Sequence, residues 1–136
     1  MKDTSIKEIM TGQVQSLSPN SDVMEAKSLM EKFNIHHLPI VLDGELVGIL
    51  SSNDINNVVY LCDFIGDKLE DSKIFQSLSI HEVMTKDVTS IDANSKISEA
   101  ILLFSNVSFH CLPVMDDGEL VGIVSSKDVF RFLTKD

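Results

Sequence analysis

The sequence predicts an α/β protein built from two similar halves, each with the order strand, helix, strand, strand, helix. The first reason is an internal repeat at an offset of 74 residues. Residues 35–55 align without a gap with residues 109–129, and 13 of these 21 pairs are identical. Extending the alignment upstream to residues 6 and 80 gives 24 identities in 50 positions. The second reason is that segments with strand periodicity alternate with segments of helical periodicity. Repeats of this length usually stack to bury their apolar faces, so a site in one half should have a counterpart in the other.

The opening of the first half is predicted as a helical turn, a strand and a helix. Residues 6–10 supply the turn, and residues 14–17 alternate apolar and polar side chains as a short strand does. Ser21 or Asp22 can cap the helix that follows. An apolar stripe at helical spacing predicts this helix, and it consists of Val23, Ala26, Met30 and Phe33.

A hairpin and a second helix complete the first half. Leu38–Leu42 and Leu46–Leu50 are the predicted strands, and Asp43-Gly44 between them is typical of a hairpin turn. Ser51–Asp54 has the composition of a helix start. The apolar residues that continue this helix on one face are Ile55, Val58, Val59 and Cys62. The second half repeats the order and ends in a helix predicted over Lys127–Leu133.

The repeat divides the chain into residues 1–57, a linker at residues 58–79, and residues 80–136. The stretch from Asp63 to Ser79 has no counterpart in the other half. Its charged residues are Asp63, Asp67, Glu70 and Asp71 against Lys68 and Lys73. Because charge runs are usually solvated surface, a solvated linker with a short helix is favoured over an acidic docking segment.

Composition excludes several classes of protein. At 136 residues and 43% hydrophobic content the chain can bury a core, and it contains no apolar run near 18 residues and no basic-then-apolar start. No membrane span or signal peptide is therefore predicted. The cysteines Cys62 and Cys111 are too few for a disulfide framework, which favours reduced thiols in a cytoplasmic protein. A net charge of −10, from 11 basic and 21 acidic residues, argues against nucleic acids and highly charged anions as partners.

The sequence carries no motif of catalysis. It lacks a nucleophile elbow, a GxGxxG loop, a Walker loop and an HExxH motif, so no enzyme is predicted. His36 and His37 are adjacent before a strand, so their side chains would point to opposite faces. A metal site is disfavoured because zinc normally needs three or four convergent ligands.

The repeated pattern GxxSSxD is the most informative candidate for a site. Ser51 and Asp54 recur as Ser125 and Asp128, each time where a strand ends and a helix begins. Unpaired backbone N–H groups at a helix start can face an anion, and a carboxylate there can accept both hydroxyls of a ribose. Plain helix capping is the alternative, because Ser and Asp are what helix starts prefer. A single copy of the motif would favour capping. Because the motif is duplicated, capping alone is a less sufficient explanation of it.

These motifs together resemble a tandem pair of cystathionine-β-synthase-type (CBS) domains, also called a Bateman module. The resemblance rests on IMT and VMT at residues 9–11 and 83–85, on LPI and LPV, on DGELVGI twice, and on GILSSND and GIVSSKD. It covers residues 6–57 and 80–133. It implies two β-α-β-β-α repeats packed sheet to sheet about a pseudo-two-fold axis, with two clefts. Members of the family bind adenine nucleotides or adenosyl compounds there and act as sensors for an enzyme, transporter or channel.

The resemblance also implies the residues of the site. Asp54 and Asp128 would hold ribose hydroxyls, and Ser51 and Ser125 would lie near ribose or phosphate. Backbone and apolar atoms of four short segments would wall the adenine, at residues 14–16, 38–40, 88–90 and 112–114. The full set of predicted nucleotide-binding residues is Thr11, Val14, Ser16, His37, Leu38, Pro39, Ile40, Ser51, Asp54, Thr85, Val88, Ser90, Leu112, Pro113, Val114, Ser125, Lys127 and Asp128.

The sequence departs from the family where phosphate-binding members often carry arginine. His37 and Cys111 occupy those positions. The residue before the aspartate expected to bind ribose is Asn53 in one half and Lys127 in the other. Lys127 either contacts ligand or faces solvent. We therefore predict two unequal clefts and a low-charge adenosyl ligand, adenosine monophosphate (AMP) before the triphosphate. Because an unperturbed histidine side chain titrates near pH 6.5, as a rough value, His37 would strengthen phosphate binding at mildly acid pH.

The favoured hypothesis is a cytoplasmic regulatory module with no required cofactor and an adenine nucleotide as regulatory ligand. It would act as a homodimer, in a flat four-domain disc, on an unidentified effector protein. The dimer is predicted from a wide apolar arc on one helix, formed by Ile97, Ala100, Ile101, Leu103, Phe104 and Val107. The alternatives are a scaffold with empty clefts, and a sensor of S-adenosylmethionine or a cyclic dinucleotide. The presence of both Asp54 and Asp128 favours ligand binding over the scaffold.

Overall fold

The computed structural model describes residues 4–66, 73–106 and 109–135, without the side chains of residues 74 and 75. Val107 of the predicted apolar arc lies outside these residues, as do Asp67, Lys68, Glu70 and Asp71 of the predicted linker. In chain order the elements are a 3₁₀ turn at Ile6–Glu8, β1 (Thr11–Gly12), α1 (Val23–Phe33), β2 (His37–Leu42), β3 (Glu45–Ser51), α2 (Ser52–Phe64), α3 (Lys73–Ser77), α4 (Ile80–Val83), β4 (Ile91–Asp92), α5 (Ile97–Phe104), β5 (Cys111–Asp116), β6 (Glu119–Ser125) and α6 (Ser126–Thr134). The predicted α/β class is confirmed.

Two compact units divide the chain differently from the sequence repeat. The Asp54 unit comprises residues 15–88, and the Asp128 unit comprises residues 1–14 and 89–136. The opening segment of each repeat therefore packs with the main part of the other repeat. Thr11 pairs antiparallel with Ile123. Thr85 pairs in the same way with Ile49, and the two residues exchange N–H···O hydrogen bonds of 2.9 and 3.0 Å.

The Asp54 unit is built on the antiparallel hairpin of β2 and β3. Asp43 and Gly44 at its tip have φ values of 51° and 82°, which is the pair of positive φ angles that a tight hairpin turn requires. The predicted strand at residues 14–17 is wrong in extent, because only Leu17 forms a bridge, parallel to Ile40. Left-handed Gln13 (φ 51°) and the turn at residues 18–21 leave too few extended residues for a longer ladder.

The helices of the Asp54 unit follow the predicted capping and stripe. Asp22 caps α1, because its Oδ1 accepts the N–H of Glu25 at 2.7 Å. α2 extends to Phe64, so residues 58–64 are helical although the repeat boundary places them in the linker. The reason is that Val58 and Cys62 continue the stripe begun by Ile55 into the core. The buried core of this unit consists of Val23, Ala26, Met30, Leu38, Ile40, Leu50, Ile55, Val58, Cys62, Ile80 and Met84.

The Asp128 unit contains a four-stranded sheet in the order β1-β6-β5-β4. β5 and β6 form the hairpin, with Asp117 and Gly118 at φ values of 51° and 81°, and β4 is parallel to β5. The buried core consists of Ile6, Ile91, Ala93, Ile97, Ala100, Leu112, Val114, Val124 and Val129. None of the helices in the described ranges is long and apolar enough to cross a membrane.

Two repeated glycines make room for the exchanged opening segments. A Cβ on Gly48 would collide with the Met84 side chain, and a Cβ on Gly122 would collide with the Met10 side chain. At Gly122 the Cβ would also lie 2.8 Å from the backbone oxygen of Thr11. A glycine inside a strand often marks such a close approach.

Candidate functional site

A reciprocal capping box holds the first GxxSSxD motif at the junction of β3 and α2. The N–H of Asp54 donates to Ser51 Oγ at 3.1 Å, and the N–H of Ser51 donates to Asp54 Oδ2 at 2.8 Å. The two hydrogen bonds fix the carboxylate where the strand becomes a helix. The helix cap that the sequence allowed is therefore present.

The same box recurs at the junction of β6 and α6. The N–H of Asp128 donates to Ser125 Oγ at 3.2 Å, and the N–H of Ser125 donates to Asp128 Oδ2 at 2.9 Å. The close match of the two copies follows from identical residue types at identical spacing. Both carboxylates are thus placed by the backbone of their own unit.

Each capped carboxylate uses one oxygen for the cap. The second oxygen of Asp54, Oδ1, receives no hydrogen bond from the protein groups that the structure describes. Oδ1 of Asp128 lies 3.5 Å from Nη1 of Arg131, whose side chain is 76% exposed, whereas that of Asp128 is only 12% exposed. A shielded carboxylate with an uncommitted oxygen can accept a ligand hydroxyl, because each carboxylate oxygen has two acceptor sites.

The helix starts have less capacity for anions than the sequence suggested. The N–H of Ser52 donates to the carbonyl of His36 at 2.8 Å, and the N–H of Ser126 donates to that of His110 at 3.1 Å. Together with the two capping boxes, these hydrogen bonds use most N–H groups of each first turn. Among the described groups, the N–H groups of Asn53 and Lys127 remain without a protein acceptor. The sequence predicted that the unpaired backbone N–H groups at each helix start could face an anion. The structure leaves one such N–H group in each unit among the groups that it describes.

The residues before Leu-Pro lie opposite the cap serines. His37 is the register partner of Ser51 in the β2–β3 pair, and Cys111 is that of Ser125 in the β5–β6 pair. Burial, and to a smaller extent the negative charge of Asp128, raise the pKa of the Cys111 thiol from 9.0 to about 12. Cys111 is therefore a neutral, weakly nucleophilic thiol at pH 7 and supplies no charge to a ligand.

The structure distributes the predicted site residues over both units. The Asp54 unit contains Ser16, His37, Leu38, Pro39, Ile40, Ser51, Asp54, Thr85 and Val88. The Asp128 unit contains Thr11, Val14, Ser90, Leu112, Pro113, Val114, Ser125, Lys127 and Asp128. Because the opening segments are exchanged, Thr85 joins the sheet that leads to Asp54, and Thr11 joins the sheet that leads to Asp128.

Several side chains predicted to wall an adenine are committed to the cores. Leu38 and Ile40 belong to the core of the Asp54 unit, and Leu112 and Val114 belong to that of the Asp128 unit. All four are fully buried. Their backbone atoms, rather than their side chains, are what these segments can present to a ligand.

Comparison with known proteins decides the family. The family profile described as "CBS domain" matches residues 6–60 and 80–135. The chain belongs to the CBS domain family. A CBS domain-containing protein of Bacillus subtilis, YhcV, is 32% identical over 126 residues, which cover 93% of this chain and 83% of YhcV. The L-aspartate semialdehyde sulfurtransferase of Methanocaldococcus jannaschii is 32% identical over 130 residues, which cover 94% of this chain but only 23% of that enzyme.

Solved CBS domain pairs share the fold. The CBS domain pair of protein MJ0100, in complex with 5′-methylthioadenosine and S-adenosyl-L-methionine, matches with a TM-score of 0.78 and 30% identity. That match covers 96% of this chain and 95% of the other. A putative acetoin utilization protein of Vibrio cholerae matches with a TM-score of 0.79 and 27% identity, over 98% of this chain and 93% of the other. The chain is therefore a tandem CBS pair.

Sequence reasoning missed one feature of this CBS pair beside Asp128. A hollow of about 170 Å³ is lined by Glu8, Ile9, Asp128, Arg131, Phe132 and Lys135. The signal was available, since Arg131 and Lys135 follow Asp128 at helical spacings of three and seven residues. Within the described residues, no three His, Cys, Asp or Glu side chains come together in a way that would hold a metal ion.

Proposed function

We propose that this CBS pair is a non-enzymatic regulatory module that binds an adenosyl ligand through Asp54 and Asp128, with an AMP-like ligand favoured. The observation that supports this proposal most directly is the duplicated, backbone-fixed carboxylate with one oxygen left over by its cap. Ribose presents two neighbouring hydroxyl donors, and a carboxylate is the side chain that accepts from both. The adenosyl ligands bound to the MJ0100 pair support the same chemical class.

The charge of the protein favours a ligand with few phosphates. The net charge is −10, and the chain has a single arginine. Each added phosphate therefore increases the electrostatic repulsion between the ligand and the protein. The neutral thiol of Cys111 adds no positive charge. A cytoplasmic location and an unidentified effector protein are part of this proposal. A scaffold without ligand is the alternative, because the two capping boxes are complete without one.

Thermal unfolding with a panel of ligands tests the proposal. Adenosine, AMP, adenosine triphosphate (ATP) and S-adenosylmethionine are added separately, and guanosine monophosphate serves as the matched control. A ligand that binds only the folded state stabilises it by ~2.7 kcal/mol at 100 times its Kd, which is readily measured. We expect AMP to stabilise more than ATP in the absence of magnesium. Equal stabilisation by the guanosine and adenosine ligands, or a clear preference for ATP, would contradict the proposal.

We also propose a twofold homodimer through the faces of α5 and α6. Leu102 and Phe130 are 74% and 64% exposed, and a hollow of about 230 Å³ lies between the two helices. Of the predicted arc, Ile97 and Ala100 are buried in the core, so the exposed patch is narrower than expected. Exposed apolar patches on a soluble protein often mark interfaces, and twofold symmetry is the commonest arrangement.

Sedimentation equilibrium checks the assembly. We expect a dimer at tens of micromolar for the unmodified chain and a monomer for Phe130→Glu, because a charge would be buried in the interface without a partner. Gln76→Glu introduces the same charge at an exposed position outside α5 and α6 and is the matched control. A monomeric unmodified chain, or a Phe130→Glu variant that remains a dimer, would contradict this arrangement.

A further inference from the structure

We propose that Arg131 and Lys135 form a phosphate subsite beside Asp128. On this proposal the Asp128 unit favours phosphorylated adenosyl ligands, whereas the Asp54 unit binds its ligand without this phosphate contact. The inference rests on the proposed function and adds to it the chemical difference between the two sites. It starts from the 170 Å³ hollow that contains both basic residues and the ribose-binding candidate Asp128.

The arrangement of charges in this hollow suits a ligand that carries both a diol and a phosphate. Asp128 and Arg131 lie one turn apart on the final helix, and Lys135 is the extended residue that ends it. The Asp128–Arg131 pair is long at 3.5 Å, and its guanidinium is mostly exposed, so four of its five N–H donors remain for another acceptor. A guanidinium matches phosphate geometry through paired hydrogen bonds.

The second carboxylate of the hollow is held in place by the cap of its own 3₁₀ turn. Glu8 is the second acidic residue of the lining, and its Oε2 accepts the backbone N–H of Ser5 at 2.8 Å and the Ser5 hydroxyl at 3.2 Å. These hydrogen bonds hold its carboxylate in the cap of the 3₁₀ turn. The two basic side chains balance the charges of Glu8 and Asp128, so an incoming phosphate would be held by direct contact with them rather than by a net positive field.

The other half of the chain shows that this charge is not a general property of the repeat. The 74-residue offset maps the basic residues Lys127, Arg131 and Lys135 onto Asn53, Asn57 and Leu61. All three counterparts are uncharged, and all three are exposed on or beside α2. Two carboxylates with the same backbone setting thus differ at these matched positions, which hold three basic residues around Asp128 and none around Asp54. In a protein of net charge −10, phosphate affinity depends on such local basic groups.

Titration calorimetry with AMP and adenosine tests this subsite. We expect the unmodified protein to bind AMP more tightly at one site per chain, and adenosine at two sites with similar affinity. The variant Arg131→Gln/Lys135→Gln should bind AMP about tenfold more weakly at the tight site, because charge-assisted hydrogen bonds to the phosphate are lost. Its affinity for adenosine should be unchanged. Lys7→Gln removes one charge from the same unit outside the hollow, and it should leave both affinities unchanged.

The outcomes separate this inference from the proposed function. If AMP binding weakens less than twofold in Arg131→Gln/Lys135→Gln, or if adenosine weakens by the same factor as AMP, the phosphate subsite is overturned while adenosyl binding stands. If neither ligand binds the unmodified protein, the proposed function is overturned and the subsite with it. A preference for AMP that disappears in the double variant and persists in Lys7→Gln supports the subsite.

Discussion

Replacing Gly122 with alanine should destabilise the protein by about 1–3 kcal/mol, the usual range for forcing extra volume into a packed site. The new Cβ would lie 2.8 Å from the backbone oxygen of Thr11 and would collide with Met10. Because β1 pairs with β6 at this point, that oxygen cannot move without loss of the strand pairing. Gly48→Ala should cost less, since the three atoms nearest to its Cβ all belong to the Met84 side chain, and a thioether chain can change rotamer.

Denaturant unfolding of matched variants checks this difference. Gly12→Ala is the control, because a Cβ at Gly12 meets no atom of the described residues within 4 Å. In a Met84→Ala background, Gly48→Ala should no longer lower the free energy of unfolding beyond the control. In a Met10→Ala background, Gly122→Ala should still cause most of its loss of stability. Equal losses at the two glycines, or complete relief of Gly122→Ala by Met10→Ala, would show that the strand backbone is not the obstacle.

Replacing Asp54 or Asp128 with asparagine should weaken an adenosyl ligand at that site by about tenfold or more, while stability changes little. An asparagine oxygen can still accept the N–H of the cap serine, so the capping box survives. Its amide then turns a donor toward the ligand hydroxyls and carries no charge. Alanine at either position loses the acceptor as well, and it should also lower the free energy of unfolding by about 0.5–1.5 kcal/mol.

The comparison of asparagine with alanine separates capping from ligand binding. Calorimetry gives affinity and stoichiometry, and thermal unfolding gives stability, for Asp54→Asn, Asp128→Asn, their double variant and the alanine set. Asp63→Asn on the exposed side of α2 is the matched control for loss of one negative charge. If the double asparagine variant keeps both affinity and stoichiometry, the carboxylates serve only the helices.

Local features of the fold followed from the sequence. The Asp-Gly pairs at residues 43–44 and 117–118 form the hairpin turns, because these residue types accept the positive φ that such turns need. Asp22 caps α1 and the repeated serines cap α2 and α6, because a cap needs only residues within three positions of each other. The duplication itself specified that each half carries a capped carboxylate at a strand–helix junction. The ligand roles of the predicted residues remain predictions.

The tertiary structure decided which segments pair with each other when they are far apart in the sequence. The sequence by itself determined two equivalent strand–helix junctions with a carboxylate at each. It did not determine that Thr11 would join the sheet leading to Asp128 and Thr85 the sheet leading to Asp54. The two opening segments carry the same Met-Thr pair, and no local pattern distinguishes the pairings. For the same reason, only the folded chain shows that Glu8 and Ile9 of the first opening segment line the hollow beside Asp128 together with residues of α6.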